Sequence, residues 1–285
     1  MKRENKIAKY TFKTFVYVVC IFLAILSILP FWIMLMNATR STVEIQDTSI
    51  SLLPSKYFFD NFHIIMGVTG KTFDPLKGFF NSMFISTGAT ACAVYFSSIT
   101  AYALVVYDWR LRQPFFTFIM AVMMIPAQVT IIGFYQLMYK VGLTDNFLPL
   151  IIPAIAAPAT VFFMRQYLLA SLQIDIVNSA RIDGAGEFTT FNRIILPIMK
   201  PAIATQAIFT FVNSWNNLFL PMILLTDKAK FTMPIMVSQL RGDIYKTELG
   251  SVYLGLSVTV LPLFVVYFLL SKYIIAGVAL GGVKE

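Results

Sequence analysis

Charge is what this chain of 285 residues has least of: Asp, Glu, Lys and Arg fill only 13% of positions, against roughly 25% in ordinary globular proteins. The shortage is concentrated in six runs, 14–39, 78–107, 113–139, 146–164, 201–226 and 249–271, which hold none of the 22 basic and 14 acidic residues. The shortest run has 19 residues and the longest 30, each at or beyond the roughly 18 that suffice for a membrane-crossing helix. Such a distribution excludes a soluble globular domain. In hydrocarbon the backbone must satisfy its own hydrogen bonds, so each run is a helix unless it alternates like a barrel strand. Stretches such as Val16–Leu29 do not alternate. The expected fold class is therefore an all-α integral membrane protein with six transmembrane helices.

Other absences narrow the chemistry. The two cysteines, Cys20 and Cys92, both fall inside apolar runs, so no disulfide framework is implied. There is one histidine, His63, and neither an H-E-x-x-H pattern nor a Cys/His cluster to hold a metal. No G-x-x-x-x-G-K-[ST] loop is present to cradle a nucleotide, so any ATP must be hydrolysed on another polypeptide and no cofactor is expected on this one. No run carries a paired acid and base or an activated nucleophile, which argues against an intramembrane enzyme. Internal repeats and low-complexity tracts are absent as well. The basic stretch Lys2 to Lys13 looks like the start of a signal peptide, but the 26-residue run behind it is too long for one and has no cleavage pattern. The first helix is expected to be a retained anchor.

The charges that are present set the topology. With the N-terminus in the cytoplasm, the inner segments carry 13 basic and six acidic residues, and the outer segments nine and eight. An excess of Lys and Arg inside is the usual orientation signal, so both termini are expected to be cytoplasmic in a multi-pass protein of the cell membrane. The basic residues sit in short clusters beside apolar runs, next to lipid headgroups, and form no continuous face for a nucleic acid. The expected order is a cytoplasmic N-terminus (1–13), a first helix (14–39), an extracytoplasmic segment (40–77), a five-helix core (78–275) and a cytoplasmic tail (276–285). The outer segments 40–77 and 227–248 are long enough for short interfacial helices or a docking role.

One inner segment, 165–200, is neither short nor simply polar. Ile174, Val177 and Ala180 recur at helical spacing. Asp183-Gly184 then breaks the helix, because Gly takes the positive φ of a tight reversal cheaply. A second short helix is expected from Glu187 to Leu196, stopping before Pro197. A helix–Gly turn–helix of this kind serves either as a lever for a soluble partner or as an amphipathic pair lying on lipid.

Motifs in this segment and beyond carry a family resemblance. Ser179-Ala180-Arg181-Ile182-Asp183-Gly184-Ala185, followed by Phe191, Ile194, Leu196-Pro197 and Pro201, resembles the signature loop of ABC importer permeases, approximately EAA-x-x-DGA, Phe, I-x-LP. Further matches are Asn81-Ser82, Ala101–Leu104, Met124-Ile125-Pro126, Gly142-Leu143, Phe163–Gln166, Trp215-Asn216, Leu220-Pro221 and Gly277–Lys284. Taken in order, they are similar to permease subunits of maltose-type carbohydrate importers. The family's Glu-Ala is Asn178-Ser179 here, and its common Pro is Gln173. The resemblance implies a type I importer permease fold with a cytoplasmic coupling helix in the loop 170–200. It implies a second, homologous permease, two ATPase subunits carrying ATP and Mg, and an extracytoplasmic solute-binding protein. The loop residues it points to are Asn178, Ser179, Ala180, Asp183, Gly184, Ala185, Phe191, Ile194, Leu196 and Pro197. Its implied cargo is an oligosaccharide or a related polyol or glycerol phosphate.

Asn213, Asn216 and Asn217 recur at i, i+3, i+4 in the fifth run, placing three amides on one helical face. Together with Trp215 they are candidates for a sugar cavity; interhelical hydrogen bonding near the interface with the partner permease explains the same amides. An ion-coupled secondary transporter of a polar solute is the competing class. It generally keeps ionisable side chains inside its spans, and these runs have none.

Overall fold

The computed structural model describes residues 2–48, 50–68, 74–239 and 248–282; parts of the two outer segments, and residues 283–285 of the tail, lie outside these. Along the chain come α1 (Lys2–Asn37), α2 (Thr42–Asp47), α3 (Phe58–Val68), α4 (Pro75–Val106), α5 (Arg112–Met123) and α6 (Ala127–Lys140). After α7 (Leu148–Ile151) a 3₁₀ turn, Ile152–Ile155, leads into α8 (Pro158–Ser171) and α9 (Ile174–Ile182). Then follow α10 (Glu187–Thr190), a π turn at Phe191–Ile195, α11 (Leu196–Ile198), α12 (Lys200–Trp215) and α13 (Phe219–Leu224). A 3₁₀ turn at Lys228–Lys230 precedes α14 (Met233–Gln239) and α15 (Leu249–Gly282). No strand occurs among the described residues.

Four stretches cross a membrane by length and composition as single or nearly continuous helices: Thr11–Asn37, Leu76–Val106, Leu148–Ser171 and Leu249–Leu269. Two further candidates are bent pairs, Arg112–Met123 with Gln128–Lys140 at 97°, and Glu187–Ile198 with Lys200–Trp215 at 79°. Counting each pair as one span gives the six expected from the charge-free runs. The bends are what the runs did not reveal. In the first pair the chain leaves helix at Met124 and re-enters behind Pro126, which has no N–H to continue a ladder.

The chain divides into two compact units, residues 1–73 with 237–260, and 74–236 with 261–285. In the first unit α1 presents apolar side chains over most of its surface, as a helix facing lipid does. Behind it the chain is tied into a polar knot. The Arg40 guanidinium donates to Asn37 Oδ1 at 3.0 Å, to the Thr48 carbonyl at 2.7 Å and to the Glu44 carbonyl. Asn61 Nδ2 donates to the carbonyls of Ala38 and Arg40, both at 2.9 Å. Ser41 and Glu44 form a reciprocal capping box at the start of α2. Gly250 closes the knot: a Cβ there would lie 2.2 Å from the Arg40 carbonyl oxygen. The segment expected to hold short interfacial helices thus holds two, α2 and α3.

The second unit is built around α4. Asp74 caps its N-terminus, accepting from the Lys77 N–H at 3.1 Å, and Pro75 occupies the first turn, where an N–H would be unpaired anyway. Ser86, Ala93 and Ser97 are fully buried along it, and their small side chains allow close packing against it. Near its start, Asn81 Nδ2 donates to the carbonyls of Ala229 and Phe231, and Ser82 Oγ accepts from the Met233 N–H at 2.9 Å. Toward its other end, Val94, Ala101 and Tyr102 pack with Met164 and Leu168 of α8, Val177 of α9, and Phe191, Ile195 and Met199.

Two local expectations are corrected. The helix after the Gly turn does not stop before Pro197. It widens into the π turn, where the Leu196 N–H reaches back five residues to the Phe191 carbonyl, and stays helical to Ile198. A π turn loosens the ladder next to a residue that cannot donate to it. The fifth run, 201–226, is not one helix either. It ends at Trp215, with Asn216 as C-cap, and resumes at Phe219. The three amides therefore gather at a helix end and the turn beyond it, and do not form a stripe along one face.

Candidate coupling loop and membrane cavity

α9 ends in a Schellman motif. Gly184, at φ 78°, donates its N–H to the Arg181 carbonyl at 3.0 Å, and the Ala185 N–H reaches the Ala180 carbonyl at 2.9 Å. This pair of bonds satisfies carbonyls that a helix end leaves open, and it needs a left-handed residue at that point. The sequence predicted the turn and the residue; the structure supplies the motif.

The predicted loop residues separate into three jobs. Asn178, Ser179 and Asp183 are exposed on α9 and at its cap, beside the exposed Gly184. Ala180 is buried under them, Ala185 is half-buried, and Phe191 is buried in the core with its ring 5.8 Å from Tyr95 and 5.6 Å from Tyr102. Ile194 and Leu196 are half-buried, and Pro197 is exposed. Two apolar side chains that the sequence reading passed over stand beside the turn: Ile182 is 86% exposed and Phe188 is 70% exposed. Their signal was available, since both fall out of register with the buried Val177, Ala180 and Phe191.

A polar cluster pins this loop to the end of α4. Tyr102 Oη donates to Glu187 Oε2 at 2.9 Å, and Arg181 Nε donates to Glu187 Oε1 at 2.9 Å across the Gly turn. The Arg181 guanidinium also lies 5.4 Å from the centre of the Tyr107 ring. The cluster was missed from sequence because its members are 85 residues apart in the case of Tyr102 and Glu187.

A second clamp lies at the far end of α4. Asp145, a non-glycine residue at φ 56°, donates its N–H to the Leu224 carbonyl at 2.8 Å. Its Oδ1 accepts from the N–H groups of Thr226 and Asp227, both at 3.0 Å, and Lys230 Nζ bonds its Oδ2 and its carbonyl at 2.7 Å. Lys230 foremost, with the Asp227 and Thr226 N–H groups, lowers the Asp145 carboxyl from 3.8 to about 2.

A cavity of about 800 Å³ opens beside the break of the first bent pair and the end of α12. Asn213, Asn216 and Asn217 line it from the end of α12, and Gln128 and Thr130 from the first turn of α6. Trp215, predicted with the amides, does not line it. Its ring is 1% exposed, stacked 5.6 Å from Phe211 and edge-on 5.8 Å from Phe79. Alternate residues at a helix end point to opposite sides, so the core takes the indole and the cavity takes the amides. No group of three His, Cys, Asp or Glu side chains able to hold a metal ion occurs among the described residues.

Comparison with known proteins gives this geometry a lineage. An arabinooligosaccharides transport system permease protein of Halalkalibacterium halodurans is 35% identical over 265 residues, spanning 92% of this chain and 93% of that protein. A lactose transport system permease protein of Rhizobium radiobacter is 30% identical over 92% of each. The fold matches a chain in the crystal structure of a bacterial ABC transporter that imports the acidic polysaccharide alginate, with a TM-score of 0.76, 22% identity and coverage of 93% of this chain and 97% of that one. The family model described as "binding-protein-dependent transport system inner membrane component" matches residues 93–279. The chain belongs to that family of multi-pass membrane permeases.

Proposed function

We propose that this chain is the translocation subunit of an ATP-driven importer that carries an oligosaccharide into the cytoplasm, with α9 and its Gly turn as the contact for separate ATPase subunits. The observation that carries the reading is the loop's construction. Its inner face is locked to α4 through Phe191, Val177 and the Tyr102–Glu187–Arg181 cluster, while Ile182 and Phe188 stand exposed beside a rigid turn. An apolar pair held in water by a rigid frame is a docking surface; motion of the partner is then delivered to the spans, not lost in the loop.

In this reading both termini and α9 are cytoplasmic, and the Asp145–Lys230 clamp faces outward, toward a solute-binding protein. A second permease completes the pathway, and two ATPases bind ATP and Mg; this chain hydrolyses nothing itself. ATP binding favours one of two bundle arrangements, and hydrolysis releases it, giving alternating access. The relatives named for arabinooligosaccharides and lactose support a sugar as cargo.

The test is copurification. Wild-type complex extracted from the membrane is expected to bring down the ATPase subunits, and Ile182→Asp to lose them while the permease stays at normal abundance. Retention of the ATPases in Ile182→Asp, or ATP hydrolysis by this chain purified alone, refutes the assignment.

A further inference from the structure

We propose that two arginines on neighbouring helices, Arg112 of α5 and Arg165 of α8, hold the phosphodiester of an anionic phospholipid against the flank of this chain.

Arg165 is a cation without an anion. It lies six residues before α8 ends at Ser171, about 9 Å along the axis at 1.5 Å per residue, within a stretch apolar enough to cross a membrane. Its guanidinium sits 4.1 Å from the centre of the Phe116 ring, and Phe116 in turn stacks on Phe162 at 6.3 Å. Among the described residues it makes no hydrogen bond or ion pair, and its Nε is buried with no partner. A ring face attracts a cation but does not accept from its N–H groups. An arginine at this depth ordinarily pairs with something.

A second cation sharpens the need. α5 packs on α8 and brings the Arg112 guanidinium within electrostatic reach of Arg165. Arg112 Nη1 donates to the Tyr107 carbonyl at 3.3 Å and lies 3.9 Å from Asp108, whose side chain is 97% exposed. An ion pair that long and that open to water does little to offset the charge. Two guanidinium groups thus face each other with their forks unfilled, and an anion between them would remove the repulsion. Phosphate oxygens match such forks two at a time.

The surroundings select the kind of phosphate. Arg112 and Phe116 share a face of α5, and Phe162, Arg165 and Leu169 share one of α8. α5 buries none of its residues in this chain, and Leu111, Phe115, Phe118 and Leu169 are exposed. Trp109, its ring 5.8 Å from Phe115, stands beside the pair, as indoles do at headgroup level. Cations bordered by open apolar surface suit a molecule with an anionic head and acyl chains; inorganic phosphate gains nothing from that border. A zwitterionic headgroup brings its own cation to the two arginines. The bound lipid would fasten the first half of a bent span to α8, which runs on through Leu172 and Gln173 into α9.

The experiment uses the permease purified in detergent with the subunits that accompany it, stripped of lipid and titrated with phosphatidylglycerol, phosphatidylcholine or inorganic phosphate. The readouts are the midpoint of thermal unfolding and the phospholipid retained, counted by native mass spectrometry. Phosphatidylglycerol is expected to raise the midpoint by several degrees, and the other two to leave it unchanged. Arg112→Gln with Arg165→Gln is expected to abolish the rise and to retain less phosphatidylglycerol. Arg112→Gln alone, a change at a half-exposed site that should fold normally, is expected to weaken the response several-fold. Arg165→Lys, which keeps the charge but not the fork, should preserve part of it. An undiminished response in Arg112→Gln and Arg165→Lys overturns the site. An equal rise with inorganic phosphate overturns the lipid in favour of a soluble anion. Loss of a copurifying subunit from these variants, with no effect of phosphatidylglycerol on the wild type, assigns the arginines to a carboxylate of another protein and overturns the proposal.

Discussion

Substituting Gly184 tests the coupling role with a strain that the structure isolates cleanly. The residue sits at φ 78°, and a Cβ built on it meets no atom within 4 Å. Steric clash with neighbours is therefore absent, and the whole penalty is the backbone cost of a left-handed L-residue. That cost is about 1–2 kcal/mol for an unbranched residue and at the upper end of about 1–3 kcal/mol for a β-branched one. Asn, which tolerates this region, should cost least. Relief of the strain means giving up the two hydrogen bonds of the turn, from Gly184 to Arg181 and from Ala185 to Ala180, and letting α9 swing. At about 1.4 kcal/mol per tenfold, 3 kcal/mol depletes the docked loop conformation by roughly 150-fold, and 1 kcal/mol by about fivefold. Gly184→Val is accordingly expected to reach the membrane at normal abundance yet fail to couple ATP hydrolysis to uptake, with Gly184→Ala intermediate and Gly184→Asn near wild type. Uptake and binding-protein-stimulated ATP hydrolysis, measured in membranes matched for expression by blotting, decide the order. Full coupling in Gly184→Val, or Ala and Val variants indistinguishable from each other, refutes the idea that force passes through this turn.

Three other changes follow from contacts described above. Asp145→Ala strands the N–H groups of Thr226 and Asp227 and places an unsupported residue at φ 56°, so thermal unfolding of the solubilised complex should show a loss of about 2 kcal/mol, while Asp145→Asn loses only the partly exposed charge pair, about 0–1 kcal/mol. Because the folded carboxyl is depressed from 3.8 to about 2, the clamp's contribution is complete above the ordinary carboxylate value and is lost only as pH falls toward 2; a stability change confined to pH 5–8 in wild type but absent from Asp145→Asn would contradict this. Tyr102→Phe removes one of the hydrogen bonds on Glu187, worth about 1 kcal/mol, and should speed hydrogen exchange at the Gly184 and Ala185 amides several-fold without altering insertion. Gly250→Ala drives a methyl to 2.2 Å from the Arg40 carbonyl oxygen, so the membrane abundance of the variant should fall sharply, as overpacking against backbone commonly costs about 1–3 kcal/mol or more.

How far these features were legible in the sequence depends on the range of the interaction behind them. Absent charge marked the spans, because transfer of Lys or Asp into hydrocarbon is penalised at each residue separately. Gly184 was legible for the same reason: positive φ is a property of one residue. Trp215 was misjudged because its neighbours are amides, and adjacency along a helix end does not mean a shared face. The Asp145 clamp and the Tyr102–Glu187 contact join segments more than 80 residues apart, and no local periodicity encodes such pairs. The bends fell in between. Pro126 announced the first, and Pro197 and Pro201 flank the second at Met199, but the end of α12 at Trp215 has no proline or glycine at it.

The π turn at Phe191–Ile195 has a consequence for chain length. A wide turn accommodates one residue more than an α-helix would over the same rise, so removing any one residue from it would leave an ordinary α-turn with its ladder intact up to Pro197. An α-helix advances about 100° per residue, whereas the wide turn absorbs its extra residue within a single turn. Such a deletion would therefore leave Glu187 and the Gly184 turn facing nearly as they do now relative to Met199 and α12. Single-residue gaps are thus tolerated here, while the same gap inside the regular part of α12 would rotate everything before it by about 100°.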